Sequence, residues 1–181
     1  MATPHPLLPA TGGCSPVEIL GGPAVVTKAE RPYAGIRVVT PFRGMFAVRD
    51  RLMAELAAGL DDPGVFFFRL HVVDMAGPMD IEVGALVAEP VVGGGRIRAG
   101  VLPGGRYAAL TYVNHGRRAN GTLLDWIRAK GLAMDVTETP AGDQFGCRYE
   151  AYLTGPANRT HENQVADRTG RPSQVGRIAR K

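Results

Sequence analysis

Cysteine is scarce. The 181 residues hold two, Cys14 and Cys147, far apart and outside any CxxC spacing, so neither a disulfide framework nor a structural zinc site is expected. Long apolar runs are also missing. No segment approaches the roughly 18 residues of a membrane-spanning helix. The opening MATPHPLLPATGG has neither the basic start nor the apolar stretch of a secretory signal. A cytoplasmic protein with no membrane partner is the expectation. There is no GxSxG elbow, HExxH pair or Walker loop. The glycines of EPVVGGGRIRAG lead into strand-like residues rather than a helix, unlike a dinucleotide fingerprint. No metal and no cofactor are expected.

Charge is unevenly spread. Residues 157–181 carry six basic side chains (Arg159, Arg168, Arg171, Arg177, Arg180, Lys181) against Glu162 and Asp167, which accounts for the whole formal net charge of +4. Residues 1–156 are therefore neutral. A neutral body with a basic end lacks the organised positive face that phosphate binding requires, so no specific nucleic-acid partner is expected. The basic end reads as a solvated tail, dispensable to the fold.

What is present is a repeated pattern. Residues 1–22, rich in proline, glycine and alanine, read as a disordered arm. Tyr33–Thr40 has strand composition. From Met45 to Leu60, the residues Met45, Val48, Leu52, Met53, Leu56 and Leu60 recur every three or four positions, as on one face of a helix. Val65–Val73 and Asp80–Val87 read as strands, the second alternating strictly. A connector at about 90–100 leads to a second copy. Tyr107–Val113 (YAALTYV) stands where YAGIRVV stood, and Leu123–Lys130 reads as a short helix with a Thr122/Asp125 capping box. Strand-like pieces at Leu132–Thr137 and Cys147–Leu153 complete it. The expected fold is α+β: duplicated β-α-β-β units, about 24–89 and 96–156, joined into one antiparallel sheet. Both helices lie on one side, with a ligand cleft between the halves.

Candidate site residues follow from strand parity. Cys147, Tyr149, Ala151 and Leu153 share one face of the last strand, and Arg148, Glu150 and Tyr152 share the other. The latter set is either a solvated surface with a weak Arg–Glu pair or an acidic group in an aromatic groove suited to a cationic ligand. Tyr107 and Tyr112 point to opposite faces, so at most one reaches such a groove. Trp126, the single tryptophan, serves either as core or as ligand contact. Phe67, Arg69 and His71 share a face, and His71 reads more simply as a hydrogen-bonded structural residue than as a base. His115 and Glu150 would form a general-base pair only if the fold brought them together.

The segments YAALTYVNHG, LLDWIRAKGL and GCRYEAYLTGP, with RPYAGIRVVTPFRGMFAVRDRL and MDIEVGALV in the first half, resemble the GyrI-like small-molecule-binding domain. That domain is also the effector-binding module of AraC-type and MerR-type multidrug regulators. The likeness covers roughly Ala24–Pro156. It implies a cleft that binds hydrophobic, often cationic or planar compounds. Glu150 would stand at its floor, Tyr152, Trp126 and Tyr107 or Tyr112 on its wall, and Phe67 and His71 would come from the first half. It equally implies an alternative, since some stand-alone relatives are hydrolases of cyclopropane-bearing DNA-alkylating compounds, and Glu150 would then be catalytic. A macromolecular partner such as gyrase is a third implication. No DNA-binding segment is read at either end. The family's further apolar strand after Gly155-Pro156 has no evident counterpart in ANRTHENQVADRTGRPSQVGRIARK.

Overall fold

The computed structural model describes residues 18–91, 94–153 and 160–166. Ten strands and two helices follow in order: β1 (Glu18–Lys28), β2 (Arg31–Pro41), α1 (Met45–Ala58), β3 (Phe66–Val73), β4 (Pro78–Leu86), β5 (Arg98–Leu102), β6 (Gly105–Val113), α2 (Gly116–Ala129), β7 (Val136–Thr139), β8 (Gly142–Phe145), β9 (Arg148–Tyr152) and β10 (Thr160–Ala166). The fold is α+β, with one antiparallel sheet in the order β1-β6-β10-β9-β3-β4-β2-β5 and the β7–β8 hairpin attached to β3. This order is unchanged by a twofold between β9 and β3, which is the duplication made visible. The exchange at its ends is not a simple repeat. β1, the leading strand of the first half, pairs with β6, and β5, the leading strand of the second, pairs with β2.

Both helices lie on one side. Met45, Leu52 and Leu56 of α1 bury against Ala34, Ile36, Ile81 and Val83 of β2 and β4. Ala119, Leu123 and Ile127 of α2 bury against Ala108, Leu110, Tyr112 and Val165 of β6 and β10. The central strands β3 and β9 run between the two helices. The other side of the sheet curls around its own core of Tyr33, Phe67, Leu86, Leu102, Tyr107, Cys147, Tyr149 and Ala151. Four rings there form a ladder of edge contacts: Tyr33 to Phe67 at 5.0 Å, Phe67 to Tyr149 at 5.8 Å and Tyr149 to Tyr107 at 6.0 Å. The ladder follows the same pseudo-twofold, tyrosine answering tyrosine at its ends. Glycine makes room for it. A Cβ on Gly84 would stand 2.1 Å from Phe67 Cζ, and one on Gly100 would stand 2.3 Å from Tyr33 Cζ.

Several boundaries differ from the sequence expectation. β1 begins at Glu18, inside the expected arm, and residues 1–17 lie outside the described residues. Its strand pattern is broken by Gly21-Gly22-Pro23 and by register shifts against β6, which hid it. β10 lies inside the expected tail, wedged between β6 and β9. THENQVA has little apolar alternation in its sequence, yet its backbone pairs on both sides, with β6 and with β9. The connector also contains a strand, β5. Helix α2 starts at Gly116, seven residues earlier than expected, because Gly116, Asn120 and Gly121 are poor helix formers and mask its first turns. Thr122 is consequently no cap, since its hydroxyl donates to the Arg118 carbonyl at 3.1 Å in mid-helix. The piece expected at Leu132–Thr137 forms a strand only from Val136.

Candidate functional site

With α1 resting on β2 and β4, and α2 on β6 and β10, the helix side of β3 and β9 becomes the floor of a trough. Strand parity decides which side chains stand on it. Phe68 of β3 is paired with Glu150 of β9, and Phe66 with Tyr152, all four on the helix side. Glu150 is half-buried at the centre. Tyr112, on β6 one strand beyond β10, reaches back so that its hydroxyl lies between Glu150 and the start of α2. A Cβ on Gly116 would be 2.8 Å from that hydroxyl and 3.7 Å from Glu150 Oε2. The chain enters α2 through Asn114 and His115, both in the left-handed region (φ 61° and 48°). That turn lets the helix start directly above the Glu150 carboxylate.

From the opposite wall α1 supplies Arg49 and Phe46. The Arg49 guanidinium lies 5.0 Å from the Phe46 ring centre and 5.8 Å from that of Tyr152. It donates to the Tyr152 hydroxyl at 3.3 Å and pairs with Asp50 at 2.7 Å. Arg148 occupies the other end of the β9 row, donating to Asn120 Oδ1 of α2 at 3.0 Å and lying 4.7 Å above the Phe145 ring.

Burial sets the electrostatics. Removal from water pushes the Glu150 carboxyl above its ordinary pKa, opposed by hydrogen bonding from Tyr112 and by the charge of Arg49. Burial and the neighbouring Glu150 charge raise the pKa of the Tyr112 and Tyr152 phenols well above ten, so both stay protonated donors across the physiological range. Burial works against the Arg148 charge and lowers its pKa. The trough thus holds one desolvated acid, two neutral phenols and a cation stacked between rings.

The structure therefore brings Glu150, Tyr152 and Tyr112 together and resolves the choice of face: Tyr112 lies on the Glu150 side and Tyr107 on the other. Phe67 and His71 also lie on the far side of the sheet, within or beside the aromatic ladder, and line a different face from Glu150. Trp126 packs at the margin of the α2 core. It stands six residues after Asn120, which faces β9, and so about 120° around the helix from the trough side. His115 is the N-cap of α2, and among the described residues no hydrogen bond joins it to Glu150.

Two residues escaped the sequence reading. Arg49 lies off the apolar stripe that identified α1 and was not singled out. Glu82 was not singled out in its alternating strand, yet it is 6% exposed. It accepts hydrogen bonds from Tyr33 Oη, 3.0 Å to each oxygen, and lies 2.7 Å from His71 Nε2. His71 is the extra residue of a bulge in β3, a device that re-aims a side chain. The signal was available, because Gly84 and Leu86 make an unusually apolar partner row for a solvent face.

A pseudo-symmetric antiparallel sheet, helices on one side and a trough between them, defines a class of small α+β domains. The fold is that of the GyrI-like domain. No protein-family model matches the sequence, and neither does any curated protein. Among solved structures, the C-terminal domain of EcmrR is 17% identical with a TM-score of 0.59, over 82% of this chain and 98% of that domain. The present chain spans only 56% of the longer EcmrR chain seen in a complex with DNA. SAV2435 bound to tetraphenylphosphonium is 10% identical with a TM-score of 0.53, over 82% of this chain and 95% of that one. A hydrolase from Listeria innocua is also 10% identical with a TM-score of 0.53, over 81% and 91% of the two chains. At these identities the likeness is one of fold. Among the described residues no helix is long and apolar enough to cross a membrane, and no cluster of His, Cys, Asp and Glu has metal-binding geometry.

Proposed function

We propose that this protein binds small hydrophobic cations in the trough between α1 and α2, as a sensor or sequestering protein for xenobiotic compounds in the cytoplasm. One observation carries the reading: a half-buried carboxylate, Glu150, desolvated enough to raise its pKa, beside half-buried Tyr152 and backed by the buried rings of Phe68 and Tyr112. A carboxylate stripped of water is repaid by a cation that is itself weakly hydrated, and ring faces add roughly 0.5–2 kcal/mol each. The tetraphenylphosphonium held by SAV2435, a protein of this fold, is a ligand of that chemistry. In this reading Tyr107, Phe67, His71 and Trp126 support the walls from behind rather than touch the ligand.

The test is calorimetric titration of tetraphenylphosphonium into wild-type protein and Glu150→Gln. Removing the charge should weaken binding by about 1–3 kcal/mol, or about 5- to 150-fold. Wild-type affinity should also fall on acidification, in a window lying above the ordinary carboxylate pKa because that of Glu150 is raised, and Glu150→Gln should show no such fall. Equal affinity of the two proteins would refute the assignment.

A second reading, hydrolysis of an electrophilic compound such as a cyclopropane-bearing alkylator, rests on the same carboxylate. A raised pKa suits a general base that activates water, and a protonated phenol beside it suits the oxygen on which charge develops. A hydrolase of the same fold supports it. Mass spectrometry of the recovered compound separates the two, since a hydrated product lost in Glu150→Gln appears only in the second.

A further inference from the structure

The described trough is not vacant of cations. Arg49 places its guanidinium between the rings of Phe46 and Tyr152, at 5.0 and 5.8 Å, while donating to the Tyr152 hydroxyl. These are the groups an entering aromatic or onium cation would use, because ring faces and phenol oxygens attract positive charge whoever supplies it. The side chain is 22% exposed, so it spans from the trough to its mouth. Outside the mouth stands Asp50, whose carboxylate is 63% exposed and already pairs with Arg49 at 2.7 Å. A long, flexible side chain with one contact inside and one at the rim has a ready second position: it can keep Asp50 and release Tyr152.

We propose that Arg49 is a tethered occupant of the trough, a built-in competitor that a cationic ligand displaces towards Asp50 before it can stack on Tyr152 and approach Glu150. The inference rests on the cation-binding reading above and deepens it by naming the residue that sets affinity and selectivity. The chemical consequence is a threshold. A small, well-hydrated ammonium gains too little on the rings to evict a guanidinium, whereas a large delocalised cation that covers both Tyr152 and Phe46 gains more than it removes. Selectivity for bulky, weakly hydrated cations then arises from competition rather than from pocket shape alone. The same tether sets a positive charge near Glu150 when no ligand is present, opposing the rise that burial imposes on its pKa.

The experiment uses the full chain in four forms: wild type, Arg49→Met, Arg49→Lys and Glu150→Gln. Methionine keeps the length and apolar reach of the stem and favours the helix. Tetraphenylphosphonium and tetramethylammonium are titrated calorimetrically into each. In unliganded wild type and Arg49→Met, the Glu150 carboxyl is titrated by carbon NMR. Arg49→Met is expected to bind tetraphenylphosphonium about tenfold more tightly and to gain proportionally more for tetramethylammonium, with Arg49→Lys between Arg49→Met and wild type because a hydrated ammonium holds the rings less well than a guanidinium. Its Glu150 midpoint should move to higher pH. Unchanged or weaker binding in Arg49→Met, with Glu150→Gln still impaired, would overturn the tether and leave the cation site standing. No binding by wild type or by any variant would overturn the cation site itself. An unmoved Glu150 midpoint in Arg49→Met would overturn the tether regardless of ligand.

Discussion

Tyr33 offers a sharp test of how the concave face is held. Its hydroxyl donates to both oxygens of Glu82, a nearly buried carboxylate that also faces His71. Tyr33→Phe keeps the ring that contacts Phe67 and removes only this donor. A hydrogen bond to a charged group contributes about 1.5–3 kcal/mol, so the variant should lose that much at neutral pH. For a chain of this size that is about 3–12 °C in Tm. The cost should also depend on pH, in a direction the burial fixes. Desolvation first, and the Glu82 charge second, push the Tyr33 phenol up to about 12. In the unfolded chain it ionises near 10. Between those values the unfolded chain has released a proton that the native one retains, so native stability falls as pH rises. At pH 11 the loss from Tyr33 amounts to about 1.4 kcal/mol. Tyr33→Phe has no such proton. The other buried phenols contribute equally to both proteins and cancel in the difference. Urea denaturation of the pair from pH 7 to 11 should therefore show a stability gap that is constant to about pH 9.5 and then narrows. A gap that stays level, or widens, would refute the proposed burial and partnering of Tyr33.

Two further outcomes concern the scaffold. Removing residues 157–181 takes away β10, which pairs with both β6 and β9, and should abolish cooperative unfolding in a circular-dichroism melt; a normal melt would show that the sheet closes without it. Gly84→Ala sets a Cβ against the Phe67 ring and should cost about 1–3 kcal/mol, with Phe67→Leu in the same chain recovering part of the loss, read by denaturation of the single and double variants.

The halves of the fold were legible where the sequence is periodic. α1 announced itself through Met45, Leu52 and Leu56, which turn one face to the core, and β4 through the alternation of its sequence, although both of its faces lie in the interior from Ile81 to Leu86. The elements that were missed answer to other forces. β10 is held by backbone pairing on both edges, and β1 and β5 are edge strands interrupted by glycine or short in length. Hydrophobic periodicity carries no signal for such strands. In the trough, parity alone put Glu150 with Tyr152 and opposite Tyr149, since that rule is local. Adding Tyr112 required knowing that β10 lies between β6 and β9, a fact of long-range pairing. Glu82 went unnoticed for a related reason: a carboxylate in an alternating strand ordinarily faces water, and only the curl of the sheet makes that side an interior. Arg49 was invisible because its partners, Phe46 in the same helix and Tyr152 more than a hundred residues away, meet only across the trough.

The exchanged leading strands bear on how the trough can move. β1 is sewn to the second half and β5 to the first, and the connections after β1 and after β5 pass so close that a Cβ on Gly104 would stand 2.9 Å from the backbone nitrogen of Glu30. Each half is buckled to the other at both ends of the sheet as well as through its centre. Walls fastened in this way cannot swing apart like the jaws of a hinged receptor. Differences in guest size must be absorbed by side chains along the rim, so this architecture resembles a rigid frame with adjustable fittings rather than a hand that closes.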